Sequence, residues 1–484
     1  MHLHLSLLSR ALAAIAFITP SLGAVSIAPI TSGPYPLGST NFEVSSLTTA
    51  EMEKCLIGSY STTADIYISD VLLHRSDCPE ITLDLPNNSS AFGRHAGKRV
   101  NYVAYILYPT TDDNPRPDYV FPYTNTGDST FPHMQRAGEA PILRDKNVRY
   151  PLIVFSHGYT AHGLWDLAHM KVLASQGFIV AVLQHGDGRN YFQACMYERP
   201  LAIMRFLDYL LAHPVFGPAI DRERIGMSGS SLGGYTTLAV VGGGCFGSSL
   251  VATDKRFRAA FGHVPLVGGS GSVRPFGTDY SALANVKCPF FAVYAEKDTS
   301  VPKVTVEAAL PKLQGQTAAV LFAGEQHLLS SAGYVEAQTY EALYFKAWLC
   351  DDEEAMALLY GTMNIEGGVT DTRTYQKLVP LPEPDEKASL GNCPGTLRLR
   401  ILPQQAGIRA VFPMATSGVY RYDILGSTDL KNWQCLRSNS LEIAPPAGLY
   451  TPTLGSGFRW RVVEVPQTIN GLTEPLFLRL RVSQ

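Results

Sequence analysis

Between Tyr150 and Leu349, short continuous apolar runs alternate with longer stretches whose apolar residues recur at helical spacing. Leu152–Phe155, Phe178–Leu183, Arg224–Met227, Phe257–Phe261, Phe290–Tyr294 and Ala318–Phe322 are short and rich in Val, Ile and Phe. Runs of this kind read as strands buried on both faces, as in a parallel sheet. Between them, Ile203, Phe206, Leu207, Leu210 and Leu211 mark one face of a helix that Pro214 closes. Leu164 to Ser175 predicts another helix, stopped by Gly177. Strand and helix in regular alternation predict an α/β fold with a doubly wound, mostly parallel sheet.

The flanks follow other patterns. Val100–Tyr108 is a clear strand, expected to run antiparallel at the sheet edge. Around it, Glu51–Phe92 and Thr110–Asn147 are rich in Pro, Asp and Ser and are expected as insertions that roof a pocket. Residues 378–395 are dense in Pro and charge and read as a linker. From Thr396 onward, about seven short strand-like runs separated by Gly, Pro, Asn and Asp predict a small all-β, sandwich-like domain. The expected division is a signal peptide over 1–24, a catalytic domain over 25–377, the linker, and an accessory β-domain over 396–484.

The candidate chemistry centres on Gly229-Ser230-Ser231-Leu232-Gly233, which fits G-x-S-x-G. The preceding run and the helix-like Leu232–Val241 place Ser231 on a tight strand-to-helix turn, where small neighbours are a steric requirement. The rival reading is a Gly/Ser-rich turn with no catalytic role. A serine hydroxyl needs a base, and the base needs an orienting carboxylate. In a sheet of this kind the chain order is serine, acid, histidine. Asp298 follows the run Phe290–Tyr294, and His327 follows Ala318–Phe322. Glu296 is an alternative acid, and His185 and His263 are alternative bases. The oxyanion donors are expected from the backbone of Leu232 and of Tyr159, which lies in the turn Ser156-His157-Gly158-Tyr159. His157, Gly158, Ser230 and His263 are expected to line the substrate site.

Composition narrows this further. A net charge of −3 gives no electrostatic footprint for nucleic acid. Within Met1–Ala24, Arg10 precedes the apolar run Ala11–Ile18, then Pro20 and small residues, so an export signal is expected. No stretch is long enough for a membrane span. The chain is therefore expected to be secreted or periplasmic. Eight cysteines suit such a compartment; the first-guess pairs are Cys55–Cys78, Cys195–Cys245 and Cys393–Cys435, leaving Cys288 and Cys350. None shows zinc spacing, and no metal or cofactor is expected.

Over about residues 33–348 these pieces together resemble the α/β-hydrolases that include type II platelet-activating-factor acetylhydrolases, dienelactone-hydrolase-like enzymes and bacterial cutinases or polyester hydrolases. The resemblance rests on Gly33 to Gly38, Val154 to Thr160, Gln184 to Asp187, Asp221 to Gly226, Ser231 to Tyr235 and Ala295 to Asp298. It implies a Ser231–His327–Asp298 triad with Leu232 and Tyr159 as oxyanion donors. Ser230 departs from the His or Trp more often found there, which leaves the substrate open. The expectation is a serine esterase acting on a small-molecule or polymeric ester through an acyl-enzyme. Alternatives are a polyester or short-acyl phospholipid hydrolase, or a non-catalytic binding module. The tail is expected to dock to a surface or polymer.

Overall fold

The computed structural model describes residues 25–377, apart from the short stretches 62–63, 124–126, 247, 252, 269–273 and 362, and the backbone of six strands beyond residue 400. Ten strands form the central sheet: β1 (Leu37–Ser39), β2 (Glu80–Asp84), β3 (Arg99–Pro109), β4 (Tyr150–Ser156), β5 (Ile179–Gln184), β6 (Ile220–Ser230), β7 (Ala259–His263), β8 (Phe290–Ala295), β9 (Thr317–Phe322) and β10 (Asp371–Lys377). Their spatial order is β10-β9-β8-β7-β6-β4-β5-β3-β1, with β2 also paired to β3. From β5 across to β9 all pairings are parallel. Strands β4, β5, β7 and β8 are buried along their whole length, which explains their unbroken apolar character.

Helices cover both faces, as the sheet's burial requires; in chain order they include α1 (Thr49–Ile57) and α5 (Lys303–Ala309). On one face lie α2 (Leu167–Ser175) and α6 (Ser331–Leu349), whose Leu173 and Phe345 share a core with Phe155, Val182 and Phe261. On the other lie α3 (Phe192–Ala212) and α4 (Leu232–Leu238), with Phe206 and Leu210 packed among Leu152, Val154 and Met227. The strand order turns at β4: β5 lies to one side and β6 to the other. A crevice at the carboxyl ends of strands belongs at such a switch point.

The structure departs from the pattern-based expectations in three places. Strand β3 is antiparallel to β5, but it is not the edge, because β1 and β2 pair with its outer side. The segments on either side of β3 are not only a roof: Met52, Leu56, Ile68, Phe121 and Phe131 enter the main core. Isolated apolar residues in polar, Pro-rich stretches carry too little periodicity to reveal this. The proposed Cys55–Cys78 and Cys195–Cys245 disulfides are absent, and all four cysteines are free and buried, as Cys288 and Cys350 are free. The Cys78 and Cys195 thiols approach backbone carbonyls instead, at 3.4 Å from Ala104 and 3.7 Å from Asp187.

Beyond residue 400 the six strands form two three-stranded antiparallel sheets, separate in pairing from the central one. The expected signal segment, the linker and the Cys393–Cys435 pairing lie outside the residues described. Among the described residues no helix is long and apolar enough to cross a membrane.

Candidate active site

Strand β6 ends at Ser230, and α4 starts at Leu232, so Ser231 must reverse the chain alone. It does so at φ 54°, ψ −113°. A non-glycine residue held there stores about 1–3 kcal/mol of backbone strain. The surroundings enforce it: the Ser231 N–H donates to the His263 carbonyl at 2.9 Å, and its own carbonyl accepts from Leu266 at 2.9 Å and Tyr235 at 3.1 Å. The glycines are a packing requirement. A Cβ on Gly233 would lie 1.7 Å from the Ser156 carbonyl oxygen, and one on Gly229 would lie 2.4 Å from the Gly233 backbone.

Asp298 and His327 meet Ser231 at this end of the sheet. His327 Nε2 lies 2.9 Å from Ser231 Oγ, and His327 Nδ1 lies 2.7 Å from Asp298 Oδ2. The second Asp298 oxygen accepts the Ser300 and Val301 N–H groups at 2.8 and 2.7 Å, which locks the carboxylate toward the imidazole. The Asp298 side chain is buried while that of His327 is partly open to solvent. A hydroxyl, an imidazole and a carboxylate thus stand in hydrogen-bond sequence, the order that activating a serine requires.

The alternative partners are engaged elsewhere. Glu296 accepts the Gly324 N–H at 2.9 Å. His185 lies 2.8 Å from Ser156 Oγ in the interior, and burial pushes its pKa well down. His263 faces Glu341 at 2.7 Å.

The loop after β4 carries the second expected oxyanion donor, and two residues given no role in the sequence, Asp187 and Arg199, hold it. Arg199, fully buried on α3, forms a paired contact with Asp187: Nε lies 2.9 Å from Oδ1 and an Nη lies 2.5 Å from Oδ2. The same guanidinium donates to the His157 carbonyl at 2.5 Å and to the Gly158 carbonyl at 2.9 Å. The Thr160 N–H, at φ 51°, donates to Asp187 at 3.0 Å. Burial alone would raise the Asp187 pKa, but Arg199 overrides it and holds the carboxyl below its ordinary range. In a trans peptide the carbonyl and the next N–H point in opposite directions. With the Gly158 carbonyl drawn to Arg199, the Tyr159 N–H is turned the other way. Gly158 borders the nucleophile, its missing Cβ position lying 3.7 Å from Ser231 Cβ. Leu232 stands at the first position of α4, where the backbone N–H has no intrahelical acceptor.

Two residues expected at the substrate site belong to the scaffold instead. His157 is fully buried; Nδ1–H donates to the Gly158 carbonyl at 2.8 Å and Nε2 accepts from the His185 N–H at 3.0 Å. Burial first, and then Arg199, lower its pKa to about 4, so it is neutral and serves the loop. His263 directs its ring away into the interior. Ser230 ends β6 beside His263, and the Tyr159 ring packs edge-on against Phe192, 4.8 Å between centroids. The one sequence sign of Arg199 is its place on the stripe of Ile203 and Phe206, a charge where apolar residues are due.

A family model described as "Platelet-activating factor acetylhydrolase, isoform II" matches residues 127–201, the segment that includes β4, the Gly158 loop, Asp187 and Arg199. The chain is also similar to "Uncharacterized peptidase YuxL" of Bacillus subtilis (strain 168), with 24% identity over 248 residues. That match covers 43% of this chain and 35% of the relative, so the chain spans about a third of the length of the curated protein it matches. The mostly parallel sheet with helices on both faces is consistent with an α/β-hydrolase fold, and both partial similarities are to proteins described as hydrolases or peptidases.

Proposed function

We propose that this chain is a serine hydrolase that cleaves carboxylic esters through an acyl-enzyme. The observation that carries the reading is the continuous Ser231–His327–Asp298 hydrogen-bond chain, with contacts of 2.9 and 2.7 Å, at the switch point of the sheet. In the proposed mechanism Ser231 Oγ attacks the acyl carbon as its proton passes to His327 Nε2. Asp298 stabilises the imidazolium, and the Leu232 and Tyr159 N–H groups bind the developing oxyanion. His327 then protonates the departing alcohol. Water, activated by the same imidazole, attacks the acyl-enzyme and releases the acid and free Ser231.

The strained Ser231 backbone supports the role, because it keeps Oγ clear of the helix and within reach of a carbonyl. Exposed apolar side chains next to site residues, Tyr159 and Leu328, favour an acyl group with apolar character. The name of the partial relative favours a second reading, peptide-bond hydrolysis by the same residues. Polyester and short-acyl phospholipid substrates remain alternatives on the ester side. Export through the apolar segment after Arg10 is part of the proposal, tested by sequencing the mature amino terminus.

The test compares the chain with Ser231→Ala on a nitrophenyl ester series and on peptide nitroanilides. Ester turnover with a loss of about 10³-fold or more in the variant supports the reading. Turnover of anilides alone selects the peptidase reading. Equal rates in the two proteins, or failure of an organophosphate to label Ser231, refute nucleophilic catalysis.

A further inference from the structure

Beneath the nucleophile turn, on the face covered by α2 and α6, three side chains converge from three separate elements. They are His169 of α2, His263 at the end of β7 and Glu341 of α6. All three are buried, and their ligand atoms lie within 4.8 Å of one another. Both imidazoles direct Nε2 at the same carboxylate oxygen, Oε2, at 2.7 Å each. The geometry does not resolve into a closed hydrogen-bond network. Only the His263 contact has hydrogen-bond alignment; His169 Nε2 has no hydrogen-bond partner, and neither has Glu341 Oε1. A carboxylate oxygen without a hydrogen bond, beside an imidazole nitrogen held only by a misaligned 2.7 Å contact, is costly in an interior, and a bound ion would remove that cost.

We propose that His169, His263 and Glu341 form a binding site for a divalent first-row transition metal ion, zinc being the best match. Two imidazoles and one carboxylate make a nitrogen- and oxygen-rich donor set that suits such ions and leaves a fourth position for water. Charge favours it too. A second buried carboxylate, Asp166, lies just before α2 and accepts from Tyr334 Oη at 2.6 Å, with the Tyr334 ring 6.2 Å from that of His169. Glu341 and Asp166 together balance a divalent ion held by neutral imidazoles. Tetrahedral ligands at about 2.0–2.2 Å from zinc sit roughly 3.4 Å apart, so binding opens the present contacts by about 0.7 Å, within reach of a turn of the carboxylate.

The metal has a structural role in this proposal. It ties α2 and α6 to the strand end whose His263 carbonyl accepts the Ser231 N–H at 2.9 Å. The ion thereby braces the nucleophile's backbone without entering the chemistry. No spacing in the chain links the three residues, because three distant elements each contribute one of them.

The test uses the full chain, stripped with a chelator, dialysed, and reloaded with zinc or cobalt. Expected results are one bound metal per chain by elemental analysis, the visible absorption of a low-symmetry cobalt site, and a midpoint temperature raised by several degrees. His169→Gln and Glu341→Gln are each expected to lose stoichiometric metal, the cobalt spectrum and the metal-dependent thermal shift. Failure of the unaltered chain to retain either metal or to shift in stability would overturn the site, leaving a buried imidazole–carboxylate clamp. Stoichiometric metal retained unchanged in both variants would also overturn it. Neither outcome depends on hydrolytic activity, so failure of the site is distinct from failure of the proposed reaction.

Discussion

Arg199→Lys is the most searching test of how the oxyanion loop is held. The guanidinium binds both Asp187 oxygens and the His157 and Gly158 carbonyls, spreading its donors over a planar fork. A lysine keeps the charge but presents its donors from a single point, so it cannot span the carboxylate and both carbonyls at once. The variant preserves charge compensation for Asp187 but leaves the Gly158 carbonyl with only its His157 Nδ1–H contact at 2.8 Å, so the Gly158–Tyr159 peptide is freer to rotate. Loss of one aligned oxyanion donor is worth about 2.7–4 kcal/mol of transition-state stabilisation, or roughly 10²–10³ in kcat. Because that donor acts mainly in the transition state, kcat and kcat/KM are expected to fall together while KM changes little. The assay is steady-state hydrolysis of a nitrophenyl ester, with circular dichroism confirming the fold. Arg199→Met serves as a contrast. It strands a buried carboxylate and is expected to cost about 3–5 kcal/mol in stability as well. A folded Arg199→Lys protein with kcat within about twofold of the parent would refute the argument that this side chain sets the loop's peptide plane.

Other outcomes follow from the same geometry. Gly233→Ala places a methyl group 1.7 Å from the Ser156 carbonyl oxygen, where backbone on both sides cannot yield; a loss of about 3 kcal/mol or more is expected in chemical denaturation. Stability equal to the parent would contradict the close approach of α4 to β4. His157 has a native pKa of about 4 against an ordinary 6.5, so the unfolded chain takes up its proton first on acidification. Its contribution is therefore complete above about pH 6.5 and is lost as the pH falls towards 4, amounting to about 3 kcal/mol. Thermal melts are expected to decline through that window, and His157→Asn to flatten the decline; an unchanged slope in the variant would refute the assignment.

Much of the site is visible along the chain because its parts are local. The Ser231 turn needs glycines within two residues on either side, and Asp298 and His327 each follow their own apolar strand. What the pattern cannot decide is which side chain of a loop turns inward. His157, His185 and His263 all follow strands, as His327 does, yet only His327 reaches Ser231. Their neighbours explain the difference. The first three stand at the sheet's end under helices and carbonyls that enclose them, whereas the Gly324–His327 turn carries its imidazole outward and over the nucleophile. Cysteine count misled for a related reason, since thiols that are near in sequence or on plausible elements still need facing Cβ directions to pair.

The alternation of buried strands and helices, the tight turn at Ser231, and the order of Ser231, Asp298 and His327 can all be read along the chain. These are properties of neighbours, written in periodicity and in the steric demands of a tight turn. How β4 and β6 come to lie side by side, and with them the Gly158 loop and Ser231, emerges only in the folded chain. It alone brought Arg199 to the loop's carbonyls and gathered His169, His263 and Glu341 in one buried pocket. Each of those partnerships joins elements far apart in the chain. Strand order and helix face set them, and no local pattern encodes either.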